Sequence, residues 1–440
     1  MERVQPERVA RLPLWPLMVM FGLTPLWWAL GALYLLWPIF ALLLAVVLLT
    51  RGRTLAPTGT VLWLILLGII VVSFTRLDRA TSYLTSGLRL GFFFAGFVVW
   101  LYVYNLVREH EPWRRVALPL CLFWLSVVGL GWLGVLMPKL WEPSLVQLLL
   151  PESISQERFV RALTTLRVTE HNPLSDNPYY RPSAPFPYTN NWGTAFAVLV
   201  PFVFAYLSSV RRGAMRVVML ASLPLALVPA FFTLNRGMFL GLGAGLAYLV
   251  VRAMLRGHFG IVLGAVGFIA SIGVLNIFIP VIDLITNRTS QTKSTSDRLD
   301  LYAQTWEAVL RSPFLGYGAP ATVDTTNAAE PLGTQGLVWQ VMFNYGIPAL
   351  IIFLSLLVLL AWRLSAATST AGFWLSAIPV VALVLTPFYA YIDINMAVVM
   401  FAIALGLAAV DGPVNRDTTR RELGGVHLQA RTPIAVGAAR

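Results

Sequence analysis

Arg236 is the residue whose type and placement most directly suggest chemistry. It stands in Leu234-Asn235-Arg236-Gly237 between two apolar runs, with fifteen residues between it and Arg252. Fifteen residues make about 22 Å of helix, less than a hydrocarbon core of roughly 30 Å. Arg236 is therefore expected at or below the headgroup level of a membrane. Two readings stay open. An arginine there can snorkel to the interface. It can also be a cation held for an anionic substrate, because a charge at membrane depth is costly and usually kept for function. Pro224 and Pro229 before it, and Gly237, Gly241, Gly243 and Gly245 after it, allow kinks and close packing nearby. Arg181 and Arg298 are further forked donors for phosphate oxygens. Tyr179, Tyr180, Tyr188 and Trp192 offer faces for sugar rings, or equally an ordinary interfacial aromatic belt.

Other polar residues carry blander readings. Arg89 reads as an anchor snorkelling to the outer interface. Asp393 and Asn395 read as caps of a tight turn, and His171 as a solvated loop histidine rather than a base. No His/Cys/carboxylate cluster has metal-ligand spacing, no DxD pair occurs and no P-loop is present, so neither metal nor cofactor is expected. The run GLGAG at 241–245 lies in an apolar segment and reads as helix packing, not dinucleotide binding.

The elements that must position these residues are membrane helices. The chain is 58% hydrophobic and 12% charged, against roughly a quarter charged in soluble domains. Its surface must therefore face lipid. The fold class is an all-α polytopic membrane protein. About twelve transmembrane helices are expected near 13–30, 31–49, 59–75, 87–107, 117–137, 192–209, 217–235, 237–251, 260–282, 336–360, 373–391 and 394–410. Residues 12–49 form one apolar stretch, about 57 Å as a single helix. It must fold back, near Thr24-Pro25 or Gly31. No small-residue cleavage site follows Met1–Arg11, so no removable signal peptide is expected. The lone Cys121 permits no intrachain disulfide.

With both ends in the cytoplasm, the inner segments hold 19 of the 32 basic and 7 of the 20 acidic residues. That excess equals the whole net charge of +12. The basic balance thus reflects topology and anionic lipids, and no nucleic-acid partner is implied. Residues 1–410 make one transmembrane domain, and 411–440 a cytoplasmic tail expected to be disordered. Two outer loops are long, about 138–191 and 283–335, and long loops on a rigid scaffold usually carry function. The first is expected to hold an interfacial helix from Ser153 to Val168. A stiff extended stretch with Pro173, Pro178, Pro182, Pro185 and Pro187 follows it. The second holds a helix over 294–312 with Ser296 as N-cap and Arg298, Tyr302 and Thr305 on one face. Pro313, Gly316 and Gly318 end it.

A site facing outward has no access to nucleotide sugars or ATP. A transferase there must use a donor already carried across the membrane, typically a glycan on a polyprenyl diphosphate. Arginines would stabilise the departing diphosphate, and outer loops would hold the sugars.

Five segments carry a resemblance to a known family: GLTPLWWALGALYLLWP at 22–38, YTNNWGTAFAVLVP at 188–201, LNRG at 234–237, DRLDLYAQTWEAVLRSPFLGYGAP at 297–320 and GTQGLVWQVMFNYGIPAL at 333–350. Over most of its length the chain resembles the O-antigen ligase and polysaccharide polymerase superfamily, in its actinobacterial-type branch. The resemblance implies a metal-independent, inverting glycosyltransferase in the bacterial cytoplasmic membrane, with its active site on the extracytoplasmic face. It transfers a glycan from a polyprenyl-diphosphate carrier to a glycan or glycolipid acceptor, among membrane lipids and without a cofactor. By position Arg236 and Arg298 bind diphosphate. Substrate contacts are expected from Arg181, Tyr188, Asn191, Trp192, Asp297, Tyr302 and His171. Where lipopolysaccharide ligases carry a histidine base, this chain has Gln335, and an amide does not accept a proton at neutral pH. Gln335 then positions a hydroxyl, or the base is another group such as His171, Asp297, Asp324 or Glu330. The leading expectation is a ligase. A polymerase of the same superfamily, a lipid-linked glycan transporter or flippase, and a scaffold with a decayed site are the alternatives.

Overall fold

The structure is a computed structural model that describes residues 12–109, 111–171, 180–257, 260, 294–320, 332–334 and 336–412. The expected span near 260–282, Asp324, Glu330, Gln335, Tyr179 and the tail from 413 lie outside the described residues, as do the side chains of Asp297 and Arg298.

The main helices are α1 (Leu33–Thr50), α2 (Thr60–Ser73), α3 (Ala80–Arg108), α4 (Leu118–Leu136), α5 (Arg158–Thr164), α6 (Thr189–Ser209), α7 (Ala214–Phe232), α8 (Arg236–Leu255), α9 (Ser294–Arg311), α10 (Leu337–Ser365), α11 (Thr370–Leu375), α12 (Ile378–Leu385) and α13 (Ile394–Asp411). Among the described residues eight helical spans are long and apolar enough to cross a membrane, and the segments 60–76 and 370–385 are shorter apolar helices. The chain is an all-α, multi-pass membrane protein.

The stretch 12–49 does fold back, at Gly31 (φ +73). A side chain there would collide with Ser144, since an added Cβ would lie 1.9 Å from its Oγ. The segment before it is no continuous helix. It runs as short pieces, Trp15–Leu17, a π-turn Met18–Gly22 and Thr24–Ala29. Pro16 and Pro25 remove ladder donors, and the Trp27 indole N–H donates to the Val19 carbonyl at 2.9 Å.

The core is built around α13, which is apolar on all sides and buried along nearly its whole length, as such a helix must be. It lies against α3 where Gly96 meets Met396 and against the first segment where Phe21 meets Phe401 edge-on at 5.1 Å. At one end of the bundle the basic turns are fastened to one another. Arg51 pairs with Glu109, and Arg363 pairs with Asp411 at 2.8 Å. Arg256 donates to the Ala367 carbonyl at 2.8 Å, and Arg252 to the Ser365 carbonyl at 2.8 Å. We call this the basic end and its opposite the loop end.

At the loop end the interfacial helix expected from Ser153 to Val168 is broken. Only a turn at Glu152–Ser155 and α5 are helical. Glu157 is extended (ψ 126) and caps α5, its carboxylate accepting from Phe159 and Val160 N–H groups. Beyond α5 the chain turns to strand. Leu166–Arg167 pairs antiparallel with Trp141–Glu142, and Thr169–Glu170 with Arg181–Pro182. Pro182 therefore sits in a folded layer, while Pro173 and Pro178 lie outside the described residues.

In the second loop helix, α9, Ser294 and Ser296 are both already helical, so Ser296 is not its N-cap. Its Tyr302 stacks on Trp339 of α10 at 4.5 Å, and Val309 is buried with Met342 and Phe343. Helix α10 kinks at Gly346 (φ 86), two residues before Pro348. Pro348 has no N–H to return to Asn344, and Ile347 N–H turns to the Pro313 carbonyl at 2.7 Å. The carbonyls of Phe343 and Asn344 are thereby freed. They accept instead from Tyr317 and Gly318 N–H groups at 3.0 and 2.8 Å. The PFLGYG and NYGIP motifs are thus two halves of one interlock.

Candidate functional site

The loop end gathers three of the sequence landmarks. Asn235 caps α8, its Oδ1 accepting from Met238 N–H at 3.3 Å. That same Oδ1 accepts from the Tyr389 hydroxyl, and its Nδ2 donates to the Thr189 carbonyl at 3.2 Å. Leu234 takes a left-handed φ of 50 to make the turn. Gly237 leaves room for Tyr389, whose hydroxyl would lie 2.3 Å from an added Cβ. Arg236 follows the cap and is exposed. Next to it, Arg181 Nε donates to the Thr233 carbonyl at 2.8 Å. Changing Asn235 to alanine removes a cap and a buried hydrogen bond, so a loss of about 2 kcal/mol is expected. Thermal unfolding of the purified protein measures it, and Asn235→Ser should recover part of the loss by restoring the cap.

Asp393 holds the centre of the same layer. Its Oδ2 accepts from Asn191 Nδ2 at 2.7 Å, from Asn395 Nδ2 at 3.3 Å and from the Tyr34 hydroxyl at 3.5 Å. Its Oδ1 accepts from Asn395 N–H at 2.8 Å, the N-cap of α13. Asn191 Nδ2 also reaches the Ala390 carbonyl at 3.1 Å. The capping role read from the sequence is present, but the carboxylate also ties α1, α6 and α13 together. Burial pushes the Asp393 carboxyl up to about 7, against the opposing pull of the donors on Asn395, Tyr34 and Asn191. Sequence reasoning undervalued it because a lone Asp before a helix looks like any cap. Three donors meeting from three helices are visible only in the fold.

The chain matches no family model, and none of the curated proteins matches it.

The remaining expected contact residues divide between this layer and the core. Tyr188 is exposed, and its ring lies 5.4 Å from the Arg167 guanidinium. The Thr189 N–H that follows donates to Glu170 at 2.7 Å, so the strand Thr169–Glu170 and Arg181 join the start of α6. His171 lies between Trp141, 5.8 Å away, and Tyr180, 5.0 Å away. Trp192, expected to face a sugar, is fully buried. It stacks on Phe196 at 5.3 Å, and its N–H donates to the Val127 carbonyl at 3.1 Å. It is a core residue because helix periodicity turns it toward α4, and a belt residue and a core residue look alike in an apolar run. Tyr302 packs on α10, as described, and Thr305 is buried beside it, donating to the Leu301 carbonyl at 2.6 Å. Gln335 is outside the described residues; Gly336 and Leu337 after it are described. Leu337 N–H donates to the Tyr389 carbonyl at 2.9 Å, and an added Cβ at Gly336 would lie 2.2 Å from the Pro387 carbonyl. The segment that leads into α10 therefore meets the turn that also contacts Asn235. Among the described residues no group of His, Cys, Asp and Glu is arranged to hold a metal.

Proposed function

We propose that this protein is an extracytoplasmic glycan ligase of the bacterial cytoplasmic membrane, taking its glycan from a polyprenyl-diphosphate carrier. The supporting observation is the meeting, at one end of a membrane bundle, of the LNRG turn, the start of α6 and the turn before α13. Arg236 stands exposed beside them. In the proposed reaction an acceptor hydroxyl attacks the anomeric carbon as the bond to the diphosphate oxygen breaks, with inversion. The departing electron pair stays on the diphosphate, where Arg236 and Arg298 stabilise the growing charge. His171 takes the acceptor proton in this scheme. It is the one histidine of four that falls in an expected outer segment, and Trp141 and Tyr180 beside it offer faces for sugars. A polymerase would use the same chemistry with a growing glycan as acceptor.

The test is a transfer assay with purified protein in lipid nanodiscs and a polyprenyl-diphosphate-linked glycan. Arg236→Ala and Arg298→Ala should each lower turnover roughly 100-fold or more, the usual cost of removing one donor to a developing oxyanion. Full activity in both variants would remove their role. The products that build up on gene deletion separate the two acceptors: unattached long polymer for a ligase, single repeat units for a polymerase.

A further inference from the structure

Arg89 is not the lipid-facing anchor its sequence position suggests. It is 6% exposed, on α3, nineteen residues before Arg108 of the basic end. That separation is about 28 Å of helix, so the guanidinium sits where the hydrocarbon core ends on the loop side. Among the described residues it has no ion pair and no hydrogen bond, and its Nη1 is buried without a partner. Phe159 of α5 covers it, the ring centre 5.5 Å from the guanidinium carbon.

Its surroundings are polar and only partly spent. Tyr345 packs edge-on to Phe93, one turn along α3 from Arg89, at 6.0 Å. Its buried hydroxyl has no partner among the described residues, and neither has either side-chain atom of Asn344. Tyr345, Tyr188 and Glu157 lie within electrostatic reach of Arg89, and Glu157 is already committed to capping α5. Tyr188 carries a second guanidinium on its ring, that of Arg167, which donates from one terminal nitrogen to the Pro187 carbonyl and keeps a buried, unpartnered Nε. Arg167 lines a narrow cleft with Tyr34, Leu163 and Pro187, and Leu163 and Phe159 are on the same short helix. On the other side, the Ser86 hydroxyl donates to the Gly318 carbonyl at 2.7 Å, so the interlock of α9 and α10 borders the site.

A buried guanidinium with no carboxylate in ion-pair contact, and only the Glu157 charge within reach, is costly to keep, and such groups are usually kept to meet an anion. Two guanidiniums that each keep an unpartnered donor, with the free Tyr345 hydroxyl within electrostatic reach of Arg89, suit the charge and the many acceptor oxygens of a phosphate. We propose that Arg89, Arg167 and Tyr345 form a binding site for a phosphate-class oxyanion carried on a lipid at the loop-end interface. The inference does not depend on the transfer reaction: it is read by binding, and an inactive enzyme would leave it standing.

The test uses the full chain in nanodiscs of phosphatidylcholine, with inorganic pyrophosphate as probe, and separately in nanodiscs containing phosphatidylglycerol. Pyrophosphate should raise the unfolding temperature of the wild type. Arg89→Met should unfold no lower than the wild type without anion, because it removes an unpaired charge, and should bind pyrophosphate at least tenfold more weakly. Tyr345→Phe, which deletes only an oxygen, should keep its unfolding temperature and bind several-fold more weakly. Stabilisation by pyrophosphate assigns the site to a diphosphate-bearing lipid. Stabilisation by phosphatidylglycerol alone, lost in Arg89→Met, assigns it to a phospholipid headgroup. Three results overturn the proposal: no stabilisation by either probe, undiminished binding in both variants, or an Arg89→Met protein that melts well below the wild type without anion.

Discussion

Gly346→Ala is expected to unlock the loop end of the bundle, lowering stability by roughly 3–5 kcal/mol, the range reserved for backbone strain and core disruption. Gly346 has φ +86, and an added Cβ would lie 2.3 Å from the Phe314 carbonyl oxygen. Both parties are backbone, so no side chain can rotate away. Relief requires the Pro313–Gly318 segment to lift from α10. Its three hydrogen bonds to Phe343, Asn344 and Ile347 would go with it, leaving carbonyls that Pro348 prevents the helix from reclaiming. Gly316→Ala attacks the same interlock from the other side, its Cβ 2.3 Å from the Phe343 carbonyl. The double variant should therefore be little worse than either single one. Unfolding followed by tryptophan fluorescence in detergent reads the effect. Gly68→Ala is the control, since an added Cβ there meets nothing within 4 Å and a helical glycine gains from the change. A Gly346→Ala protein that melts with the control would show that the two motifs are not interlocked.

Asp393 supplies the second large effect, and its sign follows from linkage. Its carboxyl is raised in the folded protein to about 7, above its ordinary value of 3.8. The folded state therefore holds a proton that the unfolded chain gives up. Stability from this group is complete below about pH 4 and is lost as pH rises through about 7. The full swing is on the order of 4 kcal/mol, from three units at 1.36 kcal/mol each. The unfolding temperature of the wild type should fall between about pH 4 and pH 7 and level off above that. Asp393→Asn cannot ionise and should flatten that part of the curve. The amide also turns an NH2 toward Asn191 or Asn395, so this variant should be the less stable one at pH 5. Wild-type and variant curves that run parallel across the range would mean that Asp393 does not titrate there.

The two effects differ in how visible their causes are before folding. A glycine followed by Ile-Pro announces a break in a helix, and the PFLGYG run announces a turn. Neither announces the other as its partner, because the carbonyls that Pro348 releases can be met by any nearby N–H. Asp393 has the same history, as a cap by sequence and a three-helix fastening by structure. Arg89 shows the converse. Nineteen residues from a basic turn, it is placed at the right depth by counting alone, but whether it faces lipid or protein depends on rotation about the helix axis. In α3 Ser82, Thr85 and Ser86 share its side of the helix, a polar stripe that fits an inward-facing arginine as well as one at the interface. Trp192, beside Asn191 and Thr194, is ambiguous in the same way.

The sequence by itself determined the membrane class, the apolar segments, the need for a fold-back within 12–49 and the residues able to meet an anion. These follow from hydropathy and chain length, which need no partners. The choice of Gly31 over Thr24-Pro25 came from the structure. The tertiary structure alone decided which polar groups are spent and which are free. Asn235, Asn191 and Asp393 saturate one another across helices, while Arg89 and Tyr345 keep unmet donors. Hydrogen-bond satisfaction is a property of groups distant in the chain and adjacent in space, and spacing along one chain carries no record of it.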